Sequence, residues 1–278
     1  MHVMTKEKRK QLNRLLKRMI ALLSVICVLL WGMVIHRFYD AGNTAAKETG
    51  PYYEMLSRSE RVIYRQTLEA VRSVRTAFLP DVSIDAQSLN KAVLAVYFDH
   101  PECIWMESGY DYACSQTDRS VVSVTLNYNP LSEKPYRDAF EKEAQQILRP
   151  ARKLDSDLEK EKYVHDVLVR DMEYDENALY SQSAYSALVN HAGVCAGYAR
   201  AFQYLLEQLG ITAYYVNGEV DSATHAWNIV VLESGTYNVD LVWDGLDHSY
   251  NWFNVDDQTI ALTHTRLTAS RKLPVCGS

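Results

Sequence analysis

His191-Ala-Gly-Val-Cys195-Ala-Gly-Tyr-Ala199 sets a cysteine between two glycines, just ahead of an amphipathic helical pattern. Gly193 and Gly197 let the backbone bend tightly and approach other groups closely. From Tyr198 onward the apolar residues Ala199, Phe202, Leu205, Leu206 and Leu209 fall at helical spacing, and Gly210 reads as the stop. Cys195 therefore belongs in or just before the first turn of a buried helix. The partial positive charge there favours thiolate over thiol, and the free N–H groups are placed to stabilise an oxyanion. An isolated cysteine is more often a small buried core residue. The flanking glycines and two later segments favour chemistry here.

The first of these is His225-Ala-Trp-Asn228, which opens an apolar run to Leu232 that is closed by Glu233-Ser-Gly235. It reads as a buried strand and a turn at 234–235. The second is Tyr237-Asn-Val-Asp240-Leu-Val-Trp243-Asp244, whose alternation over 237–243 reads as the antiparallel return strand. An Asp in an apolar strand needs a partner, and His225 is the natural one. A thiol at a helix start, a His on one strand and an Asp on the next is the chain order of a Cys-His-Asp nucleophilic site. The carboxylate would fix the imidazole tautomer and support its cation.

These segments resemble the transglutaminase-like superfamily, a branch of the papain-like thiol fold. The resemblance rests on Gly193-Val-Cys195-Ala-Gly-Tyr-Ala199, Leu205-Leu206 with Leu209-Gly-Ile211, His225-Ala-Trp-Asn228, Val239-Asp240-Leu-Val-Trp-Asp244 and Tyr250-Asn-Trp-Phe253-Asn-Val-Asp256. It spans residues 135–264. It implies an α+β core with the Cys at a helix N-terminus packed on an antiparallel sheet carrying His and Asp. It also implies Cys195 as nucleophile, His225 as general base and acid, and Asp240 as the orienting carboxylate. Many bacterial members carry Gln after the Cys, where this chain has Ala196. Their Thr-Trp-Asp-Asp segment is Val242-Trp-Asp-Gly245 here.

The 278 residues carry a net charge of −6, distributed unevenly. Residues 1–18 hold +6, leaving −12 for the rest. Residues 19–35 contain no charged side chain. As a helix they would span about 26 Å, slightly less than a hydrocarbon core of about 30 Å. Trp31 suits the far interface, and the basic block would stay in the cytoplasm. The expectation is a single-pass anchor over 19–36 and a tether over 37–51, with the remainder extracytoplasmic. A cleaved signal peptide, giving a secreted protein, is the alternative. A basic block beside an apolar run is not a nucleic-acid footprint.

Beyond the tether, helical periodicity covers 52–78, 85–98, 136–152 and 157–171, while 103–106 and 121–128 read as strands. The expectation is a small α/β region over 52–130, followed by a thiol domain over 131–278. Asp99-His-Pro-Glu102 with Trp105 adds a weaker resemblance to the segment preceding the thiol domain in some Gram-positive surface proteins. His100 and Glu102 are read as a capped turn, because no further ligands stand at metal spacing. Cys103 and Cys114 are equally a disulfide or two free thiols. Cys276 is expected to be exposed near the terminus. Gln182 and Tyr185, from the stretch before the thiol, are oxyanion or groove candidates. Trp227 and Trp243 are groove or core candidates. His165, His191 and His248 fit the triad order less well than His225.

No cofactor or metal is implied. A thiol with His and Asp attacks amide carbonyls and forms a thioester, so the expected partners are protein, peptide or cell-wall amides. Hydrolysis is favoured. Cross-linking by transamidation, and a non-catalytic binding module on the same fold, are the alternatives.

Overall fold

A computed structural model describes residues 50–277. The expected anchor and almost all of the tether lie outside the described residues. Among those described, no helix is long and apolar enough to cross a membrane.

The helices are α1 (Pro51–Glu54), α2 (Arg58–Arg72), α3 (Ala86–Asp99), α4 (Lys134–Ala151), α5 (Asp157–Arg170), α6 (Cys195–Gln208), α7 (Leu241–Asp247) and α8 (Asp257–Ile260). The strands are β1 (Ala77–Phe78), β2 (Met106–Cys114), β3 (Val121–Tyr128), β4 (Glu173–Tyr174), β5 (Ala192–Gly193), β6 (Thr212–Val220), β7 (Ala223–Leu232), β8 (Gly235–Val239) and β9 (His264–Arg266). The central sheet is antiparallel, in the order β8-β7-β6-β9, and α6 packs on β6 and β7. A second antiparallel sheet runs β1-β3-β2, and β4 pairs in parallel with β5.

Helix α6 forms for the reasons its sequence declares. Ala201, Phe202, Leu205 and Leu206 are fully buried. It ends in a Schellman turn: Gly210 at φ +81° donates to Glu207 and Ile211 donates to Leu206. Strand β7 is buried continuously from His225 to Val230, as expected of a strand covered on both faces.

Local capping overrides periodicity elsewhere. The pattern over 52–78 is not one helix. Ser57 and Glu60 form a reciprocal capping box that starts α2 afresh, and α2 ends at Arg72 before Val74 turns at φ +53°. The strand expected at 103–106 begins only at Met106. Cys103 and Cys114 are free thiols, one buried and one exposed. Cys276 is buried, because its N–H donates to Asp257 and its carbonyl accepts from the Asp257 N–H. One bond to the Asp257 side chain and one from its backbone thus fold the tail onto α8.

Residues 49–278 form one compact unit, and packing runs across the expected 130–131 boundary. Fully buried Arg200 on α6 donates to the carbonyls of Tyr97, His100 and Cys103, and Gln203 donates to that of Phe98. The bonds to residues 97, 98 and 100 thereby satisfy carbonyls at the C-terminal end of α3, which has no intrahelical donors left for them. Tyr52 reaches the other way, donating to the Tyr215 carbonyl on β6 at 2.7 Å.

Helix α5 buries one charge at a cost. Glu161 is fully buried, accepts from Asn254 Nδ2 at 2.9 Å, and leaves Oε1 without a partner. Burial raises its carboxyl to about 7, against the smaller opposing effect of the Asn254 bond. A carboxyl raised on folding loses stability as pH climbs from 4.5 through about 7. Glu161→Gln is expected to add on the order of 1–3 kcal/mol at pH 8 and little at pH 4. Denaturant unfolding at the two pH values checks this, and equal effects at both would contradict it.

Candidate active site

Cys195 is the first residue of α6, whose N-cap Val194 makes no side-chain cap. The free N–H groups of the first turn are therefore not consumed by a capping side chain. The glycine spacing has a direct cause. A Cβ at Gly193 or Gly197 would fall 2.8 or 2.4 Å from the Ser181 carbonyl. The backbone at 181–183 thus lies against the helix start, and Ser181 also accepts the Val194 N–H at 3.1 Å.

His225 is the third residue of β7, opposite Gly218 on β6. Its Nε2 donates to Asp240 Oδ2 at 2.7 Å, and its ring lies within electrostatic reach of the Cys195 thiol. Burial alone would lower the imidazole pKa. The bond to Asp240 and the electrostatic effect of Cys195 outweigh it and push the value up to about 10.

Asp240 is fully buried but does not stand within a strand. Strand β8 stops at Val239, and the hairpin turn is Glu233–Ser234, one residue earlier than expected. Asp240 is the N-cap of α7, its Oδ1 accepting from Val242 at 3.0 Å and Trp243 at 3.3 Å. Capping is what an Asp side chain does well, and here it won over the alternation of 237–243. The cap leaves Oδ2 for imidazoles. Burial pushes this carboxyl up, but the bonds from His225 and His264 prevail and hold it down at about 2.

His264, on β9, is the residue that sequence reasoning missed. Its Nε2 lies 2.9 Å from the same Asp240 Oδ2, and its Nδ1 lies 2.7 Å from Thr263 Oγ1. A lone His in Thr263-His-Thr-Arg266 carries no spacing signal. Ligand atoms of His225, Asp240 and His264 all fall within 4.8 Å of one another, so the group could hold a metal ion. Two donated protons on one carboxylate oxygen account for the same spacing.

Trp227 and Trp243 do reach the site, as walls. Trp227 is buried, donates to Asn238 Oδ1 at 3.1 Å and stacks on His225 with centroids 6.2 Å apart. The Trp243 ring is 6.4 Å from His225 and 4.7 Å from His264. Tyr185 is packing: it is buried edge-to-face on Tyr136. The phenols in electrostatic reach of the thiol are instead Tyr97, Tyr174 and Tyr215. Gln182 lines a cavity of about 330 Å³ with Tyr97, Glu107, Ser108, Asn129, Tyr180 and Ser181 among others, a mostly polar wall. Ser181 joins that cavity to the start of α6.

The other described histidines lie outside the triad. His165 is buried against Asp244 at 3.1 Å. His191 and His248 take left-handed conformations at φ 55° and 50°, His248 as the C-cap of α7. His100 is buried between Glu102 and Tyr64, both at 2.8 Å, as a closed turn.

Residues 144–256 match the model of the transglutaminase-like superfamily. The chain carries a transglutaminase-like domain, mixed α/β in build. No curated protein matches it. Among solved structures it is similar to a TGase, with 14% identity and a TM-score of 0.35, covering 59% of this chain and 50% of that one. It is also similar to a candidate cysteine protease from Cytophaga hutchinsonii, with 18% identity and a TM-score of 0.33, covering 44% of this chain and 51% of that one. The chain spans about half the length of these two structures.

Proposed function

We propose that the chain is a thiol enzyme that cleaves amide bonds through Cys195, His225 and Asp240 and a thioester intermediate. The observation that carries this reading is the 2.7 Å hydrogen bond between His225 and a fully buried Asp240, with Cys195 at an uncapped helix N-terminus in electrostatic reach of the same imidazole. Nε2 of His225 is engaged by Asp240, which leaves Nδ1 for the thiol. Asp240 accepts only, so it fixes the tautomer and supports the imidazolium.

In the proposed reaction the Cys195 thiolate attacks the amide carbon, and charge on the carbonyl oxygen is met by backbone N–H groups of the first turn of α6. Ala196 contributes no side chain to that task. The C–N bond breaks as the His225 imidazolium passes its proton to the departing nitrogen. A thioester remains on Cys195. Water then attacks, gives its proton to His225 and releases a carboxylic acid as the C–S bond breaks.

Water is the acceptor favoured here. The cavity beside the helix start has a polar wall, and Trp227 is committed to packing and to Asn238 rather than to a dry tunnel. The substrate class is a protein, peptide or cell-wall amide. The basic block and the uncharged stretch 19–35 support an anchored enzyme working outside the cytoplasmic membrane.

The test incubates the full chain with glutamine-containing peptides, with and without a labelled primary amine. Release of acid product, most of it undiverted by the amine, is expected. Amine incorporation exceeding hydrolysis would make the protein a cross-linking transglutaminase. Turnover of neither kind, with an unreactive Cys195, would make it a binding module on this fold.

A further inference from the structure

We infer that His264 is a positioning residue, the fourth member of the line Cys195–His225–Asp240–His264, and that its Nε2–H holds the Asp240 carboxylate in the orientation His225 needs. This rests on the thiol-enzyme reading above and extends it to a residue outside the triad.

A buried carboxylate orients a histidine only if it is itself held. Each carboxylate oxygen offers two acceptor positions. At Asp240 they are all used: Oδ1 takes the N–H groups of Val242 and Trp243, and Oδ2 takes the Nε2 protons of His225 and His264. Without His264, one acceptor position on a fully buried oxygen would be empty, which is costly. The carboxylate could then turn about its Cβ–Cγ bond away from His225.

The surroundings of His264 are built for this bond. Thr263 Oγ1 sits 2.7 Å from His264 Nδ1. With that hydroxyl as donor, Nδ1 is the acceptor nitrogen and Nε2 carries the proton. The rings of Trp227, Trp243 and Trp252 lie 5.1, 4.7 and 5.2 Å from the imidazole, and His264 is buried. A hydrogen bond in such a water-poor box is stronger than one in water. Strand β9 is only three residues long and pairs with β6 at the sheet edge, with His264 opposite Val220. Its placement brings a donor to Asp240 from the side that β8 and α7 leave open.

The experiment separates the donor from the packing. His264→Phe keeps a ring among the tryptophans but has no N–H. His264→Gln gives up the ring and keeps a donor near the position of Nε2. Alkylation of Cys195 by iodoacetamide is timed at pH 6 in the full chain, beside Cys195→Ala as the blank. His264→Phe is expected to slow it about tenfold, the scale on which partners of an orienting group act, and His264→Gln to stay within about twofold of the starting protein. Wild-type speed in His264→Phe, or His264→Gln as slow as His264→Phe, would overturn the inference.

If His264→Phe does not fold, Thr263→Val carries the test, since Thr263 is exposed and only the tautomer lock is lost. It should slow alkylation, and no change would overturn the inference. His225→Ala, run alongside, separates the two levels. If it labels at the wild-type rate, the triad reading fails and this inference with it. If it slows while His264→Phe does not, only the role of His264 fails.

Discussion

Replacing Cys195 by Ala is expected to abolish turnover, a loss of at least about 10⁴-fold, since nucleophile removal in comparable triads costs that much or more. The fold should survive. Cys195 is 9% exposed and stands at the first position of α6. Ala is also the best helix former. Product release and thermal unfolding, measured on the same preparation, check both halves. Turnover by Cys195→Ala near the wild-type rate would end the thioester account. Loss of turnover together with the fold would leave the nucleophile unassigned.

Asp240→Asn should cost about 10³–10⁴-fold in turnover and, unlike Cys195→Ala, should also weaken the fold. Asp240 receives four N–H groups, two from backbone and two from imidazoles. An amide has one oxygen and one NH₂, so two donors must face another donor whichever way it turns. If the oxygen keeps the α7 cap, both imidazoles meet the NH₂ and must change tautomer. The pH profile of stability should change with it. His225, raised on folding, adds stability that is complete below its ordinary 6.5 and lost as pH rises through about 10. Asp240, depressed on folding, adds stability that is complete above 3.8 and lost as pH falls through about 2. Asp240→Asn should flatten both limbs. Denaturant midpoints from pH 3 to 9 measure this, and an unchanged profile would mean the three side chains are not coupled.

What the sequence disclosed, and what it hid, follows from where each signal lives. Helix α6, its Gly210 stop and the buried run of β7 were legible because burial imposes a period on many residues at once. The need for Gly193 and Gly197 was legible as well, although the carbonyl they accommodate, that of Ser181, was not. Asp240 was assigned to a strand because 237–243 alternates. Its capping bonds to Val242 and Trp243 are local, and one side chain suffices to end a strand. The restart at Ser57 is the same effect at the head of α2. His264 was silent because its role is made by β9 pairing with β6, a long-range contact with no local trace. Cys276 was misjudged for a similar reason: proximity to the chain end says nothing of the bridges to Asp257 that bury it.

The proposal that Cys195 is an activated nucleophile meets its most direct test in the labelling of that thiol by a small electrophile from pH 4 to 9, comparing the full chain with Cys195→Ala and His225→Ala. The account predicts rapid labelling at the acid end, absent in Cys195→Ala and slowed in His225→Ala, because the imidazole beside the thiol and the helix start behind it favour attack by sulfur. Labelling that rises only near an ordinary thiol pKa of about 8.5, and is indifferent to His225, would contradict it.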